Sequence, residues 1–520
     1  MAKARPRDGA NLTRPAGEFQ ISLPLAVAQI VIAQDSPVPI NEQICRALRV
    51  AIVAGDLPVG TLLPTSRELA QVLGVGRNTV VAAYSRLSAE GYVHSKFRRG
   101  TKIAPLPQTT NLTGGQELTS TPERDEAEAS IRLSYQGQRN LEAAPAASFG
   151  GGSDMSIPDP TLYPRAILGR ALTDAFGRAH GGDADAHNDW RKFQEAVAAH
   201  FRQSRGVNCG PGQIIPVSGV SAALDIAARL LVDPGHAVLV EDPAPDHVWS
   251  AFHSAGARLY PLPCDSSGAD PGRANSPPPR LIYVSPSLSF PTGVQTSPSR
   301  RVALMDAARA SGAAIFEFDG FAELLYTGNR HVAMQGRDSD GRVLYFGSLR
   351  NTLGPHISVG FLVVPPNLSS AFSQFAQRVG CVPEGFVLAA IANLIETNQY
   401  ALHAKKIRTA YAQRLKLLVE SCRKLLPDAI VTEPHGGFHL AISLPDNVIA
   451  ENVAAAGSKQ GLAIAPLSRF SLRKQPANRL VFGFGAIPDR LIETAVRRLG
   501  GIIAESRDSE ARESVAEPVS

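Results

Sequence analysis

Apolar positions recur along this chain in two rhythms. In the first hundred residues the period is helical. Ile40, Ile44, Leu48 and Ile52 fall on one face of a first helix that ends near Gly55. Thr65 followed three residues later by Glu68 has the form of a capping box, so a second helix starts there and buries Leu69, Ala70 and Leu73. Gly74-Val75-Gly76 supplies a tight turn. Arg77-Asn78-Thr79-Val80 then opens a third helix, with Val80, Val81, Tyr84 and Leu87 as its expected buried positions. Two short helices about a glycine turn predict a helix-turn-helix. Tyr92-Val93-His94 and Thr101-Lys102-Ile103 read as paired strands around the basic tip Lys96-Phe97-Arg98-Arg99-Gly100.

Farther along, short apolar runs alternate with longer helical patterns. Residues 214–217, 237–240, 281–284, 314–318, 343–346 and 359–364 read as buried strands, and 221–231, 299–311 and 402–426 as helices. That alternation predicts an α/β domain whose open, mainly parallel sheet is covered by helices on both faces. Three stretches lack either rhythm. Residues 1–36 are polar and broken by Pro, and form a flexible arm. Residues 105–145 begin with a run rich in Thr, Gly and Pro and serve as a linker. Residues 504–520 are an acidic, apolar-poor tail expected to be disordered. Between them lie a compact module at 37–104 and a large one at 146–503.

Composition narrows the classes. Of 520 residues, 44% are apolar and 19% charged, which excludes a mostly disordered, collagenous or membrane-embedded chain. No run approaches the ~18 apolar residues of a membrane span, and the basic opening leads into no apolar signal core. A cytoplasmic protein is expected. Cys45, Cys209, Cys264, Cys381 and Cys422 are scattered with no C-x-x-C pair, so neither a metal site nor a disulfide framework is expected. The net charge of +5 is concentrated: residues 38–103 hold nine Lys/Arg against four Asp/Glu, and the remainder balances. A small basic module on a neutral body points to an anionic partner.

The chemistry of that module suits double-stranded DNA. Arg77, Asn78 and Thr79 stand at the N-terminus of the second helix of the motif, where Arg and Asn can present paired hydrogen bonds to base edges in the major groove. Ser66 and Arg67, with the backbone N–H groups of the preceding helix, can hold a phosphate. Arg98 and Arg99 at the hairpin tip, backed by Gly100 and Thr101, can grip the backbone or the minor groove. Tyr84, although a core position, completes the set of candidate DNA-contacting residues.

The residues Leu57-Pro58, Leu63-Pro64, Ser66-Arg67, Leu73-Gly74-Val75, Arg77-Asn78-Thr79-Val80, Ala83-Tyr84 and Glu90-Gly91-Tyr92 closely resemble the winged-helix domain of GntR-type transcription regulators. One departure is Gly76, where that family usually has Ser. From Phe149 to Leu499 the chain resembles the aminotransferase-like domain of MocR regulators, a GntR subfamily. The resemblance rests on Pro158-Asp159-Pro160-Thr161-Leu162-Tyr163-Pro164, Ser204-Arg205-Gly206-Val207, Ser285-Pro286-Ser287-Leu288-Ser289-Phe290-Pro291-Thr292-Gly293 and Gly436-Gly437-Phe438-His439-Leu440. It implies a fold-type I architecture that ordinarily holds pyridoxal phosphate, a head-to-tail homodimer, and a small-molecule effector acting through dimer or linker geometry.

The groups that cofactor needs are missing at the positions the resemblance assigns. The family's lysine segment appears as Gly347-Ser348-Leu349-Arg350-Asn351-Thr352-Leu353-Gly354-Pro355-His356-Ile357-Ser358, which puts Asn351 at the Schiff-base lysine and Ser358 at the phosphate arginine. Glu317-Phe318-Asp319-Gly320 puts Phe318 where the pyridine aspartate belongs and Gly320 where the tyrosine belongs. Pro245 replaces the stacking aromatic. A one-residue slip would return Asp319 to the pyridine nitrogen or offer Arg350 to the phosphate, but no lysine occurs anywhere from residue 193 to 404. The expectation is a DNA-binding transcription regulator with no catalytic residues, no enzymatic activity and no covalent pyridoxal phosphate. Arg350 and His356 are then its possible effector contacts. The alternatives are a pyridoxal-phosphate-responsive regulator and a working aminotransferase with an attached DNA-binding module.

Overall fold

The computed structural model describes residues 27, 30–33, 36, 38–96, 100–105, 157–178, 183–327, 331–473, 476 and 478–516. The chain divides into two compact units, residues 1–130 and 131–520. In the first, α1 (Ile40–Val53), α2 (Ser66–Leu73) and α3 (Arg77–Ala89) are followed by the hairpin β1 (Val93–Lys96) and β2 (Gly100–Ile103). Helix α2 starts where its capping box dictates: the Thr65 N–H donates to Glu68 Oε2 at 2.7 Å, and the Glu68 N–H to Thr65 Oγ1 at 3.3 Å. It stops at Gly74, whose φ of +65° is the left-handed cap that turns the chain into α3. Val93 pairs with Ile103 in the hairpin, and the Leu63 N–H donates to the Thr101 carbonyl at 2.8 Å, so residues 61–63 line the other side of β2.

Two expectations for this unit need correction. Val81 does not join the core; it is 45% exposed, and Ala83 takes its place beside Val80, Tyr84 and Leu87. At 100° per residue Val81 points away from the stripe that the other four share. Nor are residues 1–36 wholly a free arm. Val27 is fully buried, Ile30 and Ile32 pack on the same core, and the Gln43 side chain exchanges two hydrogen bonds with the backbone of Ala33. Of the other regions, residues 106–156, which hold most of the expected linker, and the tip residues 97–99 lie outside the described residues.

The second unit is built on an eight-stranded sheet of order β3-β10-β9-β8-β7-β4-β5-β6. Its strands are β3 (Ile214–Val217), β4 (Ala237–Asp242), β5 (Arg258–Asp265), β6 (Gly268–Ala269), β7 (Leu281–Val284), β8 (Ala314–Asp319), β9 (Val343–Ser348) and β10 (Gly360–Val363). Pairings β5–β4–β7–β8–β9 are parallel, and β10 runs antiparallel to both neighbours. Strands β3, β4, β7 and β10 are buried along their whole length, which is why they appear as continuous apolar runs. Strand β5 escaped the sequence reading because Pro261 and Pro263 interrupt it; its neighbour β6 is two residues long, and near such an edge Pro is tolerated.

Helices α4 (Arg165–Arg178), α5 (Asp183–Arg205), α6 (Val220–Leu231), α7 (Asp246–Ser254), α8 (Pro298–Ser311), α9 (Arg350–Leu353), α10 (Ser369–Arg378), α11 (Gly385–Glu396) and α12 (Gln399–Leu425) accompany the sheet. A four-stranded antiparallel sheet, β11 (Ile430–Thr432), β12 (His439–Ser443), β14 (Arg479–Gly483) and β13 (Ile464–Pro466) in that order, packs with α12, α13 (Ala450–Lys459) and α14 (Ile492–Ala516). Helix α14 corrects the expected disordered tail: residues 504–516 continue it, with Ile502 buried, Ile503 packed on the same core, and Arg507 3.5 Å from Asp428. No helix among the described residues is long and apolar enough to cross a membrane.

Candidate functional sites

In the small unit, charge is distributed unevenly among the helices. Glu42 and Glu90 are engaged by Arg46, Arg49 and Arg86 along the α1–α3 seam, and Glu68 is engaged by the cap of α2. The basic side chains Arg67, Arg77 and Lys102 form no ion pair among the described residues, which leaves positive charge on the side of α2 and the first turn of α3. Arg77 and Asn78 are exposed and Thr79 half-exposed, as base readout requires. Arg77 Nε is 3.5 Å from Ser66 Oγ, so the two helices of the motif bring these candidates together. Arg67 is exposed and Ser66 half-exposed at the N-terminus of α2; Gly100 is exposed and Thr101 half-exposed where β2 begins. Arg98 and Arg99 lie outside the described residues.

Tyr84 does not belong to this set. It is 7% exposed, and its hydroxyl donates to the Pro64 carbonyl at 2.9 Å. Burial pushes the phenol well above its ordinary pKa. Its role is to fasten α3 to the turn before α2, and so to fix the angle between the helices.

In the large unit, the carboxyl ends of β7, β8 and β9 frame the crevice where doubly wound sheets bind ligands. The alternation of β8 decides which residues face it. Phe316 and Phe318 share one face with Tyr283, Phe346 and α6; Ile315, Glu317 and Asp319 are on the other. Asp319 therefore cannot replace Phe318 by a one-residue slip. Its Oδ2 accepts from Arg205 Nε at 2.7 Å and from the Tyr345 hydroxyl at 2.9 Å, and Arg205 also donates to Ser287 Oγ at 2.6 Å. Burial opposes the charge on Arg205, but Asp319, Tyr345 and Glu317 together outweigh it and the guanidinium is held more firmly protonated. Next to it, burial raises Glu317 to about 7, although the Met334 and Gln335 N–H groups donate to its carboxylate.

Asn351 is the second residue of the short helix α9, and its Nδ2 donates to the Gly320 carbonyl at 2.9 Å. Ser358 is exposed and lies against Gly219, the residue capping the N-terminus of α6. Arg350, the first residue of α9, and His356, on the turn after it, are both exposed, with Arg350 Nε 3.4 Å from the Pro355 carbonyl. Lys405 and Lys406 are exposed on α12, and Arg479 is exposed at the start of β14 opposite Ser443. The amide at 351 is no nucleophile, the side chain at 318 carries no charge for a ring nitrogen, and residue 320 has no side chain. These residues do not fit an imine-bound pyridoxal phosphate.

The polar knot of Arg205, Ser287, Asp319 and Tyr345 was not legible as a site. Arg205 and Asp319 alone are 114 residues apart, and only the recurrence of a polar residue at the end of an apolar strand hinted at it. His439 was likewise unseen: it is fully buried at the start of β12, with the Phe290 ring 4.7 Å away, neither ring nitrogen hydrogen-bonded among the described residues, and burial lowering its pKa to about 4.

Comparison with known proteins agrees with both units. Residues 40–103 match the family described as bacterial regulatory proteins, gntR family, and residues 181–499 match aminotransferase class I and II. The chain is 33% identical over 473 residues to the probable rhizopine catabolism regulatory protein MocR of Rhizobium meliloti, covering 90% of this chain and 95% of that one. It is 26% identical over 464 residues to the HTH-type pyridoxine biosynthesis transcriptional regulator PdxR of Corynebacterium glutamicum, covering 89% and 95%. Among solved structures, the multiple substrate aminotransferase of Thermococcus profundus shares the fold, with a TM-score of 0.62 at 20% identity over 73% of this chain and 97% of that one.

Proposed function

Since this chain belongs to the MocR branch of the GntR family, and is a DNA-binding transcription regulator with an aminotransferase-like domain, we propose how its two units divide the work. The small unit reads the major groove of an operator through Arg77, Asn78 and Thr79, while Ser66, Arg67, Arg98 and Arg99 hold phosphates and Gly100 and Thr101 shape the wing. The large unit pairs two copies of the chain, so that two winged helices address two half-sites. It senses a small molecule without covalent pyridoxal phosphate and without enzymatic turnover, Arg350 and His356 being the candidate effector contacts. The protein works in the cytoplasm, where its operator is.

The observation that carries the DNA reading is the exposed first turn of α3, where Arg77 stands beside Ser66 with no ion pair among the described residues and the helix angle is fixed by Tyr84. Support for the absence of turnover comes from Asn351, whose amide is spent on the Gly320 carbonyl. Genome-wide footprinting with the purified chain, run beside a thermal-shift screen of amines, amino acids and vitamers, tests both halves. Discrete, two-fold symmetric footprints are expected. Uniform, sequence-independent protection would overturn the operator reading. A 420 nm absorbance that borohydride shifts would overturn the cofactor reading.

A further inference from the structure

The cleft is altered in shape as well as in chemistry. Phe318 is half-buried at the carboxyl end of β8, on the same side as the first residues of α6. Its ring stacks on Phe346 at 5.7 Å and 12°, lies 6.5 Å from Tyr283, and meets Phe321 edge-on at 6.4 Å and 71°. Offset-stacked and edge-to-face contacts of this kind give an aromatic ring a preferred orientation. The ring also leans over Gly320. A Cβ on residue 320 would overlap Phe318 Cζ and stand 2.9 Å from its Cε2. The phenyl ring as it lies at 318 therefore leaves no room for a side chain at 320 unless the ring shifts. Asn351 holds that bare backbone in place through its bond to the Gly320 carbonyl.

We propose that Phe318 is a built-in plug: its ring fills the room that a pyridine ring needs in this cleft, with Gly320 as the clearance that lets it lie there. The proposal rests on the reading above that no covalent cofactor is carried, and adds that restoring the amine alone does not restore the site. A carboxylate at residue 318 is short and charged, and leaves space beyond its oxygens. A phenyl ring is longer, uncharged and fixed by three aromatic neighbours. The domain thereby keeps a packed cleft with no cofactor to complete it.

The test uses the full chain and its variants Asn351→Lys and Asn351→Lys/Phe318→Asp. Each is incubated with pyridoxal phosphate, reduced with borohydride and mapped by peptide mass spectrometry. Asn351→Lys alone is expected to stay unlabelled at residue 351, and the double variant to be labelled there. Equal labelling of the single variant overturns the plug, and so does a folded double variant that stays unlabelled. A second measurement stands if the double variant does not fold. Pyridoxine phosphate, which lacks the aldehyde, is titrated calorimetrically into the unaltered chain and into Phe318→Ala. At least tenfold tighter binding by Phe318→Ala is expected, and equal affinity overturns the proposal. A reduced adduct on the unaltered chain maps to some other lysine and sinks the underlying reading instead, so the two failures are distinguishable.

Discussion

Asp319 sits 2.7 Å from Arg205, on the face of β8 opposite to Phe318, and both members of the pair are buried. The Tyr345 hydroxyl shares the same carboxylate oxygen. This acid, one residue from the position where a cofactor acid is sought, is committed to holding α5 against the sheet.

Removing its charge leaves Arg205 buried and uncompensated. Asp319→Asn is expected to cost the large unit about 3–5 kcal/mol, the range for breaking one side of a buried pair. Both tryptophans, Trp190 and Trp249, are in this unit, so urea unfolding followed by their fluorescence reads it directly. A loss under about 1 kcal/mol would contradict the structural role.

Arg77→Ala is expected to weaken operator binding by about 1–3 kcal/mol and to relax base preference at one position of each half-site. Competition binding on a set of single-base operator variants measures both. By contrast, Arg99→Ala is expected to weaken binding to all sequences alike and to lower the salt slope by about one. A salt slope that does not move removes Arg99 from the phosphate contacts.

Thr65→Ala removes the hydroxyl that caps α2. The small unit should lose about 0.5–2 kcal/mol. Amide exchange at residues 66–69 should speed up accordingly, while amides of β7 and β8 keep their protection.

Acid should destabilise the large unit through His439. Its folded pKa is about 4, below the ordinary 6.5, because burial penalises the charged ring. The unfolded state therefore binds the proton more readily. This contribution is complete above pH 6.5 and is lost as pH falls from 6.5 through 4, reaching roughly 3 kcal/mol. His439→Leu should flatten that part of the stability–pH curve. An unchanged acid limb would assign the loss to other groups.

Much of the fold was legible because its cues are local. The capping box at Thr65 and Glu68 and the left-handed Gly74 each act within a few residues, so the helix-turn-helix could be drawn before any tertiary contact was known. The six apolar runs were readable for a related reason: strands buried on both faces have no polar alternation to hide them. Tyr84 is the counter-example. A tyrosine beside a recognition helix suits phosphate or protein equally, and only the position of the Pro64 carbonyl, 20 residues earlier, decided between them.

By itself the sequence determined that one basic module faces an anionic partner, and that no amine lies within the segment that would need one, since no folding can create a missing functional group. Tertiary structure alone decided where the remaining polar groups point. In a strand, neighbouring residues face opposite sides, so a shift of one position exchanges cleft for core. The tertiary arrangement of Arg205, Tyr345 and Asp319 settled that choice, turning the acid inward and leaving Phe318 over the cleft.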